Sequence, residues 1–420
     1  MRIIFTGGGT AGHILPNIAI IKELRKNLCN EEGNGAISGA ISGAFDSVKQ
    51  KYEIPRAIRT ACEVLYIGLR DGPEKQICAK AGIDFDGIYA GKFRRYFSIN
   101  NFFDLFKIPI GLIQSLFILH RFKPQVVFSK GGYVAVPVVI AAKILKIPVV
   151  IHEGDFIPGL ANKICAKFAD KVCVAFPETR GFDPNKIILT GMPVRDVNEG
   201  KTHRQKQNRP TGAERVEEGE ARIQKQNIVM KSEQKDEDSF KNNAKPVVLI
   251  MGGSLGAESI NRAVWKILPK LLLHANIIHI TGKGKSGIKF ISAKLDNYKQ
   301  IEYADDELFD FYAQSSLVVS RAGASAIAEI AAQNKPSILI PLGKKASRGE
   351  QTANAEYMRS IGASEVIYQN ENFENELEKK IINLLNNKKK LRDMSSAAKK
   401  FGELCKNSAH TIAKILLSYS

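Results

Sequence analysis

The chain has 420 residues, too many for one comfortable hydrophobic core, so two domains with room for an insertion are expected. Its hydrophobic content of 44% is ordinary for a globular protein, which excludes both wholesale disorder and a polytopic membrane protein. A net charge of +18 calls for anionic partners: nucleic acid, phosphorylated substrates or an anionic membrane face. No RNP, zinc-finger or helix-turn-helix signature accompanies the charge, so nucleic acid is not the expected partner.

In chain order, Arg2 to Thr6 reads as a short apolar strand. The turn Gly7-Gly8-Gly9-Thr10-Ala11-Gly12-His13 follows, and Ile14 to Leu28 repeats apolar residues at helical spacing. The apolar run before the glycines is only a strand's length, short of a signal peptide, so a cytoplasmic protein is expected. In such a strand-turn-helix unit the glycines let a phosphate approach the backbone, and the helix amino terminus supplies free N–H donors. Thr10 could add a hydroxyl and His13 an imidazole at the mouth of the turn. A dinucleotide site would also need an acid closing the next strand. That strand ends Tyr66-Ile67-Gly68-Leu69, with Asp71 two residues late, so a dehydrogenase fits poorly.

Residues 30 to 50 carry a short repeat, Gly35-Ala36-Ile37-Ser38 then Gly39-Ala40-Ile41-Ser42, and read as an insertion. Strands are expected at Glu63 to Gly68, Val126 to Ser129, Ile147 to His152 and Lys171 to Ala175, with helical patterns between most of them. That alternation predicts a parallel sheet covered on both faces. From Gly91 through Phe97, Phe102 to Lys107 and Leu116 to Arg121, aromatics mix with Lys and Arg beside helical apolar spacing. Some of that is core packing, yet an apolar patch ringed by cations would also rest on an anionic bilayer. Ser129-Lys130-Gly131-Gly132-Tyr133 is a further glycine turn between a strand and a helix. The longest apolar stretch, Val134 to Ile151, is broken by Pro137, Lys143, Lys146 and Pro148, and reads as a buried helix and strand instead of a membrane span.

Residues 199 to 245 form a polar run rich in Lys, Gln, Glu and Asn, expected to be a disordered insertion. Val247 to Met251 then opens a second series with its own turn, Gly252-Gly253-Ser254-Leu255-Gly256, and strands near Ile277 to Thr281, Leu317 to Ser320 and Pro336 to Ile340. Arg321-Ala322-Gly323-Ala324-Ser325 opens a helix expected at Ala326 to Gln333, whose amides could take phosphate and whose Glu329 could accept ribose hydroxyls. The predicted architecture is therefore α/β, two Rossmann-like parallel-sheet domains facing across a cleft. Six scattered cysteines show no metal spacing and suit a reducing compartment. No Asp-x-Asp stands in a suitable loop, Asp236 and Asp238 falling in the polar insertion, so no metal is expected.

Together the motifs resemble the MurG family of bacterial UDP-N-acetylglucosamine transferases, glycosyltransferase family 28. The marks are Gly8 to His13, Gly131-Gly132-Tyr133, His152-Glu153-Gly154-Asp155 with Pro158 to Lys163, Gly191 to Arg195, Gly252 to Ala257, Arg321 to Ala324, and Gln351 with Asn354. They cover nearly the whole chain outside the two insertions. The resemblance implies a GT-B fold and metal-independent, inverting transfer of GlcNAc from UDP-GlcNAc to undecaprenyl-linked lipid I, giving lipid II. It implies a peripheral protein on the cytoplasmic face of the inner membrane, in peptidoglycan synthesis. It further implies UDP-GlcNAc contacts at Thr10, Ala11, Gly12, Asp155, Arg195, Ser254, Ala324, Ser325, Ala326, Ile327, Ala328, Glu329, Gln351 and Asn354, with a uracil-proximal position near Ala304 or Asp305. Gly131, Gly132 and Tyr133 would face the acceptor. Four positions depart from many members: Ala11 stands where glycine is common, Asp155 where asparagine is, so an acceptor-only carboxylate replaces an amide, and Ala326 and Ala328 where hydroxyl residues are frequent, leaving more of the phosphate grip to Ser325, Ser254 and backbone amides.

Inverting transfer needs a base for the acceptor hydroxyl and positive charge for the departing UDP. Helix dipoles and Arg195 could supply the charge; His13 and Glu153 are the candidate bases, with a structural role for Glu153 equally in view. The expected boundaries are 1–195 for the acceptor half, 246–401 for the donor half, and 402–420 as a helix packing back on the first. Two other readings fit part of the pattern: a related GT-B transferase acting on diacylglycerol, and a non-catalytic nucleotide-sugar-binding subunit.

Overall fold

Two parallel sheets organise the protein, and most of their strands are apolar on both faces because helices cover each side. The computed structural model describes residues 1–8, 11–31, 62–91, 99–195, 245–253, 256–287, 296–343 and 348–420. The expected insertions therefore lie largely outside the described residues, as do Thr10 and Ser254.

The first half runs β1 (Arg2–Thr6), α1 (Ala11–Glu31), β2 (Glu63–Leu69), α2 (Glu74–Lys80), β3 (Asp84–Ile88), α3 (Ile99–Phe122), β4 (Val126–Ser129), α4 (Ala135–Ile144), β5 (Val149–Glu153), α5 (Leu160–Ala166), β6 (Lys171–Val174) and β7 (Ile187–Leu189). Its strand order is β3-β2-β1-β4-β5-β6-β7. The second half runs β8 (Val247–Met251), α6 (Glu258–His274), β9 (Asn276–Ile280), β10 (Tyr298–Ile301), α7 (Glu307–Gln314), β11 (Leu317–Ser320), α8 (Ala324–Ala332), β12 (Ser337–Leu339), α9 (Glu350–Ser360), β13 (Ser364–Val366), α10 (Phe373–Asn386) and α11 (Lys388–Leu417). Its order is β10-β9-β8-β11-β12-β13.

In each sheet the order reverses beside the first strand, between β1 and β4 and between β8 and β11. Connections leave on opposite sides there and open a crevice at the carboxyl ends of the strands. All four turns that flank those crevices, after β1, β4, β8 and β11, are the ones that the glycine spacing singles out.

One face of the first sheet packs Ile3, Phe5 and Phe128 against Ile14, Ile20, Ile21 and Leu24 of α1. The same core takes in Ile412, Ala413 and Leu416 of α11, while Ala398 and Phe401 of that helix pack with Ile327, Ala328 and Ala331 of α8. A single 30-residue helix thus serves both halves, where the sequence reading has a separate helix from residue 402.

Four observed strands, β3, β7, β10 and β13, are missing from the sequence reading, and they are the four sheet edges. An edge strand packs on fewer neighbours and needs no continuous apolar run, so Tyr298-Lys299-Gln300-Ile301 is half-buried throughout. α8 starts at Ala324, two residues earlier than expected, because Gly323 occupies the extended cap position before it.

Candidate active site

The turns after β1 and β4 fit into one another. Gly132 has φ +88°, a conformation costly for any residue with a side chain, and a Cβ there would lie 2.5 Å from the Gly8 carbonyl oxygen. Tyr66, fully buried on β2, donates its hydroxyl to the Gly7 carbonyl at 2.6 Å and accepts from Asn17 Nδ2 at 3.3 Å. The described part of the first turn is thereby fixed from below, and Ala11 and Gly12 open α1 after it. The side chain of His13 lies outside what is described. α4, which follows Gly131, Gly132 and Tyr133, has Val134 at its cap position and no side-chain acceptor for its first amides. Tyr133 itself packs against the core of the first half.

Glu153 ends β5 almost fully buried, and its oxygens are committed. Oε1 accepts from the Asp155 amide at 2.9 Å; Oε2 accepts from the Gly159 amide and from Asn162 Nδ2, each at 2.9 Å. Burial pushes its carboxyl above the usual range, partly offset by these donors. The residue acts as a bracket for the loop from Gly154 to Asn162. His152 beside it, fully buried, donates Nε2–H to the Gly191 carbonyl at 2.8 Å and is neutral, since burial holds its pKa well below 6.5.

The loop meets the second half through one amide. Asn354 of α9 accepts the Phe156 N–H at 2.8 Å and donates to Asp155 Oδ1 at 2.9 Å and the Ala322 carbonyl at 3.2 Å. With 0% exposure and both amide ends engaged, it ties the halves together in this arrangement. Asp155, acceptor-only, is matched to the N–H that Asn354 offers. Around this clasp Phe156, Phe176, Tyr357 and Phe401 form an aromatic cluster, with centroids 5.2 to 5.9 Å apart, drawn from both halves. Gln351, one turn earlier on α9, accepts the Leu342 amide at 3.1 Å and shapes the loop after β12.

On the donor side, Gly256 has φ +68°, and a Cβ there would overlap the Thr281 carbonyl. α8 begins behind Gly323 with no side-chain cap, so the amides of Ala324, Ser325 and Ala326 are open to an acceptor. Ile327 and Ala328 are buried in the core and contribute backbone alone. Arg195 reaches across from the first half. Its Nη1 donates to Asp305 Oδ1 at 2.8 Å, its Nε lies 3.8 Å from Glu329 Oε1, and its guanidinium sits 5.1 Å from the centre of the Phe309 ring. Burial raises the Glu329 carboxyl, and Arg195 pulls the other way. Arg321 is a feature that the sequence reading leaves without a role. It is buried, donates to the Ile340 carbonyl, Gln369 Oε1 and Ser259 Oγ, and so ties the segments after β12 and β13 to the first turn of α6. Its place directly after β11 was the available signal.

Among the described residues no group of three or more His, Cys, Asp and Glu side chains could hold a metal ion. Among the described residues, the uncapped amides at the starts of α4 and α8 lie on the two halves, and Arg195 of the first half reaches the carboxylates of Asp305 and Glu329 in the second.

This arrangement defines a two-domain GT-B enzyme. The crystal structure of Acinetobacter baumannii MurG superposes with a TM-score of 0.66 over 99% of both chains at 21% identity. UDP-GlcNAc 2-epimerase from Neisseria meningitidis, bound to UDP-GlcNAc, superposes at 0.58 over 100% of both at 12% identity. The fold therefore spans transferases and epimerases, and sequence separates them. Residues 55–174 match the glycosyltransferase family 28 N-terminal domain and residues 247–410 its C-terminal domain. A relative from Clostridium tetani (strain Massachusetts / E88), the UDP-N-acetylglucosamine--N-acetylmuramyl-(pentapeptide) pyrophosphoryl-undecaprenol N-acetylglucosamine transferase, is 38% identical over 410 residues, 96% of this chain and 95% of that one. The chain belongs to glycosyltransferase family 28.

Proposed function

We propose that this family 28 enzyme transfers N-acetylglucosamine from UDP-GlcNAc to undecaprenyl-pyrophosphoryl-N-acetylmuramoyl-pentapeptide, converting lipid I to lipid II in peptidoglycan synthesis. The observation that carries the reading is 38% identity along 96% of the chain to a relative bearing that activity in its name. Both the acceptor half and the donor half are spanned.

In this reading the donor half holds UDP. The open amides of α8 and the turn at Gly252 to Gly256, with Ser254, take the diphosphate, Glu329 takes the ribose hydroxyls, and Gln351 the sugar. Arg195 exchanges its carboxylate partners for a phosphate oxygen, placing its charge where UDP departs. Thr10, Ala11 and Gly12 close over the donor from the other side, and the amides near Gly131, Gly132 and Tyr133 receive the lipid pyrophosphate. The acceptor oxygen attacks the anomeric carbon as the bond from that carbon to the phosphate oxygen breaks, inverting configuration. His13 takes the hydroxyl proton, because the committed oxygens of Glu153 leave it as a bracket. No metal is needed in this scheme, since helix amides and Arg195 carry the charge stabilisation.

The acceptor's lipid would keep the protein on the cytoplasmic face of the membrane as a peripheral enzyme. Ile110, Ile113 and Phe117 of α3 share one helical face and are exposed, Phe117 at 73%, with Arg121 a turn further on. Residues 92–98 of the same expected patch lie outside the described residues. No described helix is long and apolar enough to cross a membrane. The test is purified protein with UDP-GlcNAc and a lipid I analogue in EDTA: lipid II is expected. Transfer to diacylglycerol, or hydrolysis of UDP-GlcNAc without transfer, would overturn the reading.

A further inference from the structure

Beneath the turn that joins β8 to α6 lies a run of buried hydrogen bonds to which the transfer scheme gives no role. Asn261, in the first turn of α6, is 1% exposed and bonds twice toward that turn. Its backbone N–H donates to the Ala257 carbonyl at 2.9 Å, and its side-chain Nδ2 donates to the Thr281 carbonyl at 2.8 Å. The Thr281 carbonyl is the floor of the turn, since a Cβ on Gly256 would overlap it and would stand 2.6 Å from the Gly282 Cα. Lys285, further along the same loop after β9, donates Nζ to the Gly256 carbonyl at 3.3 Å.

Hydrogen-bond chemistry fixes which way each group in the run faces. A carbonyl oxygen can only accept, so Asn261 turns Nδ2 to Thr281 and presents Oδ1 toward β9. There His279, fully buried, brings Nε2 to 3.1 Å from that oxygen, and the two bond only when Nε2 carries the proton. Nδ1 lies 3.0 Å from the Tyr298 hydroxyl, which also receives Trp265 Nε1–H at 3.1 Å. Burial holds the imidazole neutral, with its pKa lowered to about 3, so this arrangement of protons persists at neutral pH. His279 thus sets the Asn261 amide, and the amide sets the Thr281 carbonyl.

We propose that Asn261 and His279 are positioning residues for the donor's diphosphate: through the Thr281 carbonyl they hold the glycine turn after β8 in the shape that receives the phosphates. The proposal rests on the reading of that turn as part of the UDP site. Both side chains are too deeply buried to touch the ligand. Asn261 acts on the backbone beneath the turn, and His279 acts on Asn261. A turn held in advance needs no ordering when the anion arrives, so loss of the support shows as weaker affinity for the phosphates alone, the ribose being held at Glu329 in the same reading.

The test compares the binding of UDP and of uridine to the full chain, by calorimetry for the first and ligand-observed NMR for the second. Asn261→Asp keeps an acceptor for His279 but sets an oxygen against the Thr281 carbonyl; it weakens UDP by about tenfold or more and leaves uridine within about twofold. His279→Leu weakens UDP by the same route and adds nothing further in the Asn261→Asp background, because the two residues act as one unit. His279→Gln, which keeps an N–H for Asn261 Oδ1, regains the affinity that leucine loses. Equal losses of UDP and uridine in Asn261→Asp would mean that the pair serves only the stability of the donor half, and would overturn the proposal. Unchanged UDP binding in a folded Asn261→Asp or His279→Leu, or losses that multiply in the double variant, would overturn it as well. If Asn261→Asp does not fold, His279→Leu decides: a loss confined to UDP supports positioning, and any other result refutes it. A wild type that binds no UDP overturns the donor-site reading and this proposal with it, whereas one that binds UDP but transfers nothing to the lipid I analogue fails the assigned reaction alone.

Discussion

At the scale of single residues, the site is governed by polar groups that are buried and spoken for. Glu153→Ala would orphan the amides of Asp155 and Gly159 and the Asn162 side chain, each at a cost of about 1–3 kcal/mol, so the thermal midpoint should drop together with activity. An alanine variant that melts like the wild type while losing turnover would mark a chemical role for the carboxylate instead. His279, held neutral by burial with its pKa near 3, gives a second expectation. The unfolded imidazole takes up a proton below about 6.5 and the folded one does not, so stability is complete above pH 6.5 and declines as pH falls toward 3. Urea unfolding across that range should show a shallower slope in His279→Gln. The sequence exposes which residues cluster, since His152, Glu153 and Asp155 stand together in a motif. It does not expose their partners, because Asn354 and Asp155 are 199 residues apart and only the folded chain brings them to 2.9 Å.

At the scale of elements, close backbone approach sets what the chain tolerates. Gly402 of α11 lies against the Ala331 carbonyl of α8, and a Cβ there would overlap it. Gly402→Ala should therefore cost about 1–3 kcal/mol of overpacking, seen as a lower midpoint in chemical denaturation. A variant as stable as the wild type would mean that α11 can shift along α8. The central strands were legible because burial on both faces forces an unbroken apolar run such as Val247-Val248-Leu249-Ile250-Met251. The edges were not, because Ser364-Glu365-Val366 has only one neighbour and its side chains can stay polar. The same limit applies to α11, whose long amphipathic run gives no signal of where it passes from one half to the other.

At the scale of the whole molecule, charge and exposed apolar surface are expected to act together on a bilayer. Phe117→Glu with Ile113→Glu should abolish sedimentation with anionic vesicles while transfer to a water-soluble acceptor analogue persists. Retained vesicle binding would move the membrane face elsewhere.

The reach of α11 has a consequence for the way the protein is made. The core around Ile3, Phe5, Ile20 and Leu24 is closed by Ile412, Ala413 and Leu416, and His410 Nδ1 lies 2.8 Å from Glu23 Oε1. During synthesis the face of α1 that these residues cover must wait, uncapped, while the entire donor half is translated. The half that is born first is thus the last to mature, and a chain stalled before residue 410 presents an open apolar groove to whatever chaperone or neighbouring chain meets it.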